Sequence, residues 1–141
     1  MEKTITAIVP VKGNSSRLPG KNILPFGKSN LLIHKLEQLK QVPEITDIIV
    51  SSDSDVMLKM AENVGVKAMK RAEKYANESV PFGEFLSYLC DILPNEHILW
   101  ACVTSPLVDS KLYRKAIATY FDNLNKGYDS LITLNPMQSF F

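Results

Sequence analysis

Residues 8–22 read IVPVKGNSSRLPGKN, an apolar run that opens into a loop with two glycines, three basic side chains and two hydroxyls. Glycines allow backbone N–H groups to approach an anion closely, and lysine or arginine neutralises its charge. Such a loop directly after a short buried strand is suited to a polyphosphate. The stretch therefore predicts nucleotide chemistry at the end of a strand.

Two better-known phosphate loops do not match this stretch. A Walker A loop requires a glycine, four residues and then Gly-Lys-Ser/Thr, but Ser15 holds the first position and Asn22 the last. The dinucleotide fingerprint G-x-G-x-x-G, counted from Gly13, meets Ser15 and Leu18 where glycines are required. The loop therefore belongs to a different class of nucleotide site.

Beyond the loop, short apolar runs alternate with amphipathic segments. We expect helices that begin near residues 31, 55, 82 and 110, and strands at 5–10, 47–52, 66–69, 98–103 and 130–134. This alternation implies parallel βαβ crossovers with helices on both faces of the sheet. The predicted fold is α/β, a three-layer αβα Rossmann-like architecture with a mostly parallel sheet.

Composition limits the possible partners and the compartment. The chain has 141 residues and a formal net charge of +1, which favours one domain over residues 1–141 and gives no support for nucleic acid or an anionic membrane as a partner. No apolar run approaches the roughly 18–20 residues of a membrane span, and the N-terminus lacks a signal-peptide core. We therefore expect a cytoplasmic protein.

The cysteines and histidines show no pattern typical of catalysis or metal binding. Cys90 and Cys102 lie in apolar surroundings without metal-ligand spacing and are interpreted as reduced core residues. His34 and His97 have no partner spacing around them. We interpret both histidines as structural.

Three polar segments follow predicted strands: residues 12–22, 51–55 and 104–107. Ligands of parallel sheets bind outside the carboxyl ends of the strands, so these segments are expected to line one rim. Asp53 and Asp55 are interpreted as turn and helix-cap residues in preference to a metal pair. The sequence therefore predicts a nucleotide site without a metal ligand among these residues.

Together with Lys70-Arg71 after the third strand, these segments resemble the acylneuraminate cytidylyltransferases, also called CMP-sialic acid synthetases, in type and order. The resemblance covers nearly the whole chain and implies the nucleotide-diphospho-sugar transferase type of fold. It also implies transfer of CMP from CTP to a sialic-acid-like nonulosonic acid for polysaccharide synthesis, with release of pyrophosphate, a Mg²⁺ cofactor and a homodimer.

The resemblance also implies roles for individual residues. Lys12 and Lys21 would contact the triphosphate and are the candidate catalytic residues, and Asn22 would help to recognise the cytosine. Thr104, Ser105 and Pro106 are the candidate substrate-binding residues. The full candidate nucleotide-binding set is Lys12, Gly13, Asn14, Ser15, Ser16, Arg17, Lys21, Asn22 and Arg71.

The chain departs from the family pattern in several places. Val103 stands where the family usually has a glutamine facing the sugar acid, and Lys12 replaces an arginine and loses its bidentate fork. Family members continue into a dimerisation segment and Mg²⁺-binding carboxylates, so we expect a chain truncated after Phe141 with its metal ligands beyond that residue. Two alternatives stay open: a related KDO-type cytidylyltransferase, and a nucleotide-binding module without catalysis.

Overall fold

A computed structural model describes residues 3–13, 18–75 and 79–136. The strands are β1 (Ile5–Val11), β2 (Pro25–Phe26), β3 (Ser29–Asn30), β4 (Ile45–Ser52), β5 (Lys67–Lys70) and β6 (Ile98–Trp100). The helices are α1 (Leu31–Lys40), α2 (Asp55–Asn63), α3 (Phe82–Ile92) and α4 (Ser110–Leu124). Four strands form a parallel sheet in the order β5-β4-β1-β6, and β2 pairs with β3 in a small antiparallel hairpin. The predicted α/β fold is confirmed.

The central strand β1 contributes to an apolar layer on each face of the sheet. Ala7 and Val9 pack into the layer formed with α1, α2 and α4, whereas Ile8 packs against Phe85 and Leu89 of α3. Successive side chains of a strand point to opposite faces, so an almost continuous apolar run is what a strand covered on both faces requires. The result is the predicted three-layer arrangement.

The strand order reverses between β1 and β6. From β1 the chain passes through α1 to β4 and through α2 to β5, and α3 then leads back to β6 on the other side of β1. Open α/β sheets bind ligands at such a reversal, outside the carboxyl ends of the strands. The loops that follow β1 and β6 therefore lie where a binding site is expected.

Three helices begin at side chains that cap their first turn. The Asn30 carboxamide accepts a hydrogen bond from the Ile33 N–H at 2.9 Å, and the Asp109 carboxylate accepts one from Leu112 at 3.0 Å. At α2 the cap is Ser54, whose hydroxyl accepts from the Met57 N–H at 3.4 Å. These contacts satisfy N–H groups that have no partner inside the helix.

Two predicted strands and the burial of three side chains need correction. Residues 130–134 form no strand, because an apolar run becomes a strand only with a neighbour to pair with, and Ile132 is 76% exposed. The strand predicted at 98–103 ends at Trp100, and the last hydrogen bond to β1 on this side runs from the Ala101 N–H to the Ile8 carbonyl at 2.9 Å. Phe82 and Cys90 are exposed on α3, at the margins of the stripe that buries Phe85 and Leu89, and Cys102 is half-buried.

No helix in the described ranges is both long enough and apolar enough to cross a lipid bilayer.

Candidate nucleotide-binding site

The loop after β1 begins with a close backbone contact to the N-terminus of α2. The Gly13 N–H donates a hydrogen bond to the Asp53 carboxylate at 2.8 Å. A Cβ atom on Gly13 would lie 2.9 Å from the Cβ of Ser54, closer than real Cβ atoms approach. Glycine is therefore required here for close packing, and Asp53 is engaged in fixing the loop.

Four of the predicted nucleotide-binding residues, Asn14, Ser15, Ser16 and Arg17, lie outside the described residues. The description resumes at Leu18, whose carbonyl accepts a hydrogen bond from the Lys21 N–H at 3.2 Å. Gly20 adopts a left-handed conformation with φ of 65° and leads into a short 3-10 helix, Lys21–Ile23. This conformation favours glycine and brings the chain back toward β1.

Asn22 is anchored at the end of β1 and has an unused acceptor. Its side chain is 6% exposed, and its amide nitrogen donates to the Lys12 carbonyl at 3.3 Å. Only the N–H side of a carboxamide can face a carbonyl, so this contact fixes the orientation of the amide. The oxygen Oδ1 is buried and has no hydrogen-bond partner among the described residues. Leaving a buried acceptor unpaired costs about 1–3 kcal/mol, which a ligand donor would recover.

Arg71 lies directly after β5 and is almost fully buried. Its backbone N–H donates to the Ser52 carbonyl at 2.8 Å, and its guanidinium donates to the Ser51 carbonyl at 3.3 Å. The guanidinium carbon lies 4.7 Å from the centre of the Phe85 ring, and Nε has no partner in the part of the chain that the structure describes. Burial lowers the pKa of Arg71 from its usual range, and the Asp53 carboxylate opposes the shift.

An aromatic cavity of about 290 Å³ joins the ends of β1, β5 and β6. Phe82 is the most exposed aromatic residue of its wall, with an exposed fraction of 62%. Its ring packs edge to face against Trp100, with 5.6 Å between the ring centres. Flat apolar walls with two cationic side chains suit a planar ring that carries an anionic group. The residues that line this cavity are Pro10, Lys12, Arg71, Tyr75, Val80, Phe82, Phe85 and Trp100.

The loop after β6 is held by α1. The Lys35 ammonium donates to the carbonyls of Ser105 at 2.9 Å and Val108 at 3.0 Å. The Pro106 carbonyl accepts from Gln38 Nε2 and His34 Nε2, each at 2.9 Å, which requires the tautomer with the proton on Nε2 of His34. The structural role predicted for His34 is therefore a hydrogen bond that holds the loop after β6 in place.

The structure brings some of the predicted site residues together and leaves others apart. Lys12 and Arg71 share the aromatic cavity, and Asn22 is bonded to Lys12. Lys21 is half-buried beside Asn22 and is not among the described residues that line the cavity. Thr104 and Ser105 are exposed and Pro106 is half-buried, in a separate loop at the same edge of the sheet.

The described residues offer no metal site. Asp53 is bonded to Gly13, and Asp55 forms an ion pair with Lys70 at 2.7 Å. Within residues 3–13, 18–75 and 79–136, no three acidic, histidine or cysteine side chains are grouped to hold a metal ion. These residues therefore do not fit a Mg²⁺ ion as ligands.

Sequence reasoning missed Lys35, Gln38, Phe82 and Trp100 as site residues. The signal for Lys35 was present, because it lies three residues after Leu32 and four before Leu39 on the apolar face of α1. Because lysine is charged, Lys35 was not included in the predicted apolar face of α1.

A Rossmann-like sheet with a cavity lined by aromatic and basic side chains at the strand-order reversal is an arrangement typical of nucleotide-binding α/β proteins. A family model described as "Cytidylyltransferase" matches residues 6–137. The chain belongs to this family, and the predicted resemblance is confirmed.

Two curated cytidylyltransferases are similar in sequence to this chain. It is 24% identical over 125 residues to the pseudaminic acid cytidylyltransferase of Campylobacter jejuni subsp. jejuni serotype O:23/36, covering 84% of this chain and 54% of the relative. It is 29% identical over 121 residues to the N-acylneuraminate cytidylyltransferase of Escherichia coli O18:K1:H7, covering 85% of this chain and 29% of the relative. The chain therefore spans about half or less of the length of these curated relatives.

A solved structure has the same fold. The CMP:2-keto-3-deoxy-manno-octonic acid synthetase, solved as a complex with CTP, superposes with a TM-score of 0.73 at 18% identity. The match covers 86% of this chain and 48% of that one. This similarity supports the Rossmann-like fold.

Proposed function

We propose that this chain binds CTP and forms the nucleotide-binding part of a cytidylyltransferase that transfers CMP to a nonulosonic acid. The observation that carries the proposal is the aromatic cavity at the strand-order reversal, which Lys12 and Arg71 both line, with Asn22 bonded to the Lys12 carbonyl. Family membership and the pseudaminic and N-acylneuraminate relatives support the same activity.

Recognition of the base rests on Asn22. Cytosine carries an exocyclic amino group that donates hydrogen bonds, whereas uracil has a carbonyl at the same position. The unpaired Oδ1 of Asn22 accepts from a donor and repels a second carbonyl, so it favours cytosine. Discrimination by a buried acceptor is strong because the wrong base leaves that acceptor unpaired.

The triphosphate is assigned to the basic loop. Lys12 and Lys21 neutralise the phosphate oxygens. The rest of the cradle is assigned to N–H groups of the loop after Gly13, as in other glycine-containing phosphate loops, because the Gly13 N–H itself donates to Asp53. The anomeric hydroxyl of the sugar acid attacks the α-phosphorus, the bond from that phosphorus to the bridging oxygen breaks, and pyrophosphate leaves. The two lysines act by stabilising the charge that develops on the leaving pyrophosphate.

The sugar acid is assigned to Thr104, Ser105 and Pro106 in the loop after β6. The two hydroxyls are exposed at the same edge of the sheet as the cavity, where they can donate to a carboxylate or a sugar hydroxyl. Val103, in the position before this loop, is 4% exposed and packs in the core. Val103 cannot make the substrate contact that the family usually makes from this position. Its presence favours a sugar acid different from that of the typical member.

Mg²⁺ and a homodimer remain part of the proposal for the complete protein. When bound, Mg²⁺ would neutralise phosphate charge, and its ligands are assigned to residues other than the described ones. The lysines of the loop bind and orient the triphosphate in either case.

The base preference gives the first test. We expect CTP to raise the melting temperature of the 141-residue chain more than UTP at equal concentration, because selective binding stabilises the folded state by mass action. Lys21→Ala should weaken CTP binding about tenfold or more, the loss of one charge-assisted contact, with the melting temperature of the free protein unchanged. Lys28→Ala removes an exposed lysine of the β2–β3 hairpin and is the matched control. Equal shifts with CTP and UTP would contradict the assignment of Asn22.

Transfer is tested separately in the complete protein. Incubation with CTP, Mg²⁺ and a panel of nonulosonic acids and KDO should release pyrophosphate with at least one of them. The sugar acid that gives the highest kcat/KM identifies the substrate class and distinguishes the KDO-type alternative. Silence across the panel from a folded protein would contradict catalysis.

A nucleotide-binding module without transfer is the second candidate. The buried Val103 favours it, because an aliphatic side chain in the core offers the sugar acid no hydrogen bond. Selective CTP binding with no release of pyrophosphate from any sugar acid is the result that supports this reading.

A further inference from the structure

Lys35 is a fully buried lysine at the centre of α1. Its exposed fraction is 0%, and it lies in the stripe formed by Leu32, Leu36 and Leu39. Burying an ammonium is costly, and an apolar side chain of similar length would fill the same space with less desolvation. The nitrogen of Lys35 is therefore expected to make contacts that an apolar side chain could not make.

The ammonium is satisfied by one loop and one ring. Two of its N–H groups meet the carbonyls of Ser105 and Val108, and the nitrogen lies 4.9 Å from the centre of the Tyr113 ring. No carboxylate pairs with it among the residues that the structure describes. The contacts of Lys35 thus tie α1 to the loop at both ends of its turn.

Two titratable side chains, Cys102 and Tyr113, lie close to the Lys35 ammonium. Burial lowers the pKa of Lys35 to about 8, and the nearby Cys102 opposes the shift. Tyr113 approaches from α4, and burial raises the pKa of its hydroxyl to about 12. Between neutral pH and pH 10, Lys35 therefore loses its charge, whereas Tyr113 keeps its proton.

We propose that Lys35 is a positioning residue whose side-chain nitrogen, through its N–H donors, holds residues 104–108 in the conformation that presents Thr104 and Ser105 at the rim of the site. The proposal rests on the proposed function only for what the loop binds. The fixing of the loop follows from the contacts of Lys35 with Ser105 and Val108, supported by those of His34 and Gln38 with Pro106.

Amide hydrogen exchange of the free chain tests the clamp without any ligand. The Ser105 N–H donates to the Cys102 carbonyl and the Val108 N–H donates to the Ser105 carbonyl, so both amides report on the order of the loop. Lys35→Met should raise their exchange about tenfold or more, because it removes the lysine donor to the Val108 carbonyl and one of the two donors to the Ser105 carbonyl. Amides of β1 should keep their protection.

Lys40→Met is the matched control. Lys40 lies on the same helix and also donates to a backbone carbonyl, that of Val64 at 2.6 Å, but this carbonyl follows α2. We expect no change at Ser105 and Val108 in this variant. An equal effect of both substitutions, or no effect of Lys35→Met, would overturn the proposal.

The pH profile of the unmodified protein reports on the Lys35 nitrogen itself, because the neutral amine keeps two N–H donors for the two carbonyls and avoids the desolvation cost of the charge. This measurement also serves where Lys35→Met does not fold. Opening the loop hydrates Lys35 and returns its pKa to the ordinary value, so protonation favours the open loop. After correction for intrinsic exchange, opening should fall about tenfold between pH 7 and pH 9, and this dependence should vanish in Lys35→Met. A flat profile in the unmodified protein would overturn the proposal. Failure of CTP or sugar-acid binding would instead contradict the proposed function.

Discussion

At the scale of single residues, the tightest packing in the site is between Gly13 and the N-terminus of α2. Gly13→Ala would place a methyl group 2.9 Å from the Ser54 Cβ and 3.4 Å from the Asp53 carboxylate oxygen that accepts from the Gly13 N–H. We expect a loss of about 1–3 kcal/mol in the free energy of unfolding, as for other overpacking substitutions, together with weaker CTP binding. Urea unfolding and calorimetric titration with CTP measure the two effects.

Gly83→Ala is the matched glycine control. Gly83 lies in α3, and nothing lies within 4 Å of a Cβ atom built there. Alanine at this position should raise the free energy of unfolding by about 0.5–1 kcal/mol, because glycine is a poor helix former. A Gly13→Ala protein as stable as the parent would mean that the loop moves away from α2 without cost.

Individual site residues were predictable to different degrees. Lys12, Asn22 and Arg71 could be named from the motif, because loops at the carboxyl ends of parallel strands meet at one rim. Phe82 was assigned to the core from its helical spacing, but it lies at the first turn of α3, where the stripe opens onto the cavity. Spacing alone does not say where a buried stripe ends.

At the scale of elements, α1 links the two loops of the site. It follows the β2–β3 hairpin directly, and its side chains hold the loop after β6. Asn30→Ala removes the cap of this helix and should lower the free energy of unfolding by about 1 kcal/mol. Because the first turn carries His34 and leads directly into Lys35, we also expect faster amide exchange at Ser105 and Val108.

Ser54→Ala is the comparison for this prediction. It removes the cap of α2, whereas the side chains that bond to the loop after β6, Lys35, His34 and Gln38, all belong to α1. A similar loss of stability is expected without faster exchange in the loop after β6. If the two variants changed that loop equally, its order would depend on global stability and not on α1.

The helices were more predictable than the strands. Caps such as Asn30 and Asp109 are local signals, and both helices begin where these side chains accept hydrogen bonds. A strand depends on a partner that is distant in sequence, so the apolar run at 130–134 resembled a strand but forms no ladder among the described residues. Local chemistry sets helix starts, whereas strand pairing is a property of the whole sheet.

At the scale of the whole molecule, stability depends on two buried groups whose pKa values move in opposite directions. The pKa of Lys35 is lowered from 10.5 to about 8, so its buried charge destabilises the fold below pH 8 and this cost is relieved as pH rises toward 10.5. The pKa of Tyr113 is raised from 10.0 to about 12, so its stabilising contribution is present below pH 10 and is lost between pH 10 and 12. The combined contribution is greatest near pH 10.

Urea unfolding of the parent and Lys35→Met across pH isolates the lysine, because the other ionisable groups are common to both proteins. From pH 7 to pH 10 the parent should gain about 2–3 kcal/mol in unfolding free energy relative to the variant. Tyr113→Phe keeps an aromatic face over the ammonium and should retain this gain while losing the decline above pH 10. A difference between parent and Lys35→Met that stays constant from pH 7 to pH 10 would mean that Lys35 is hydrated in the folded protein, and the loop after β6 would then need another anchor.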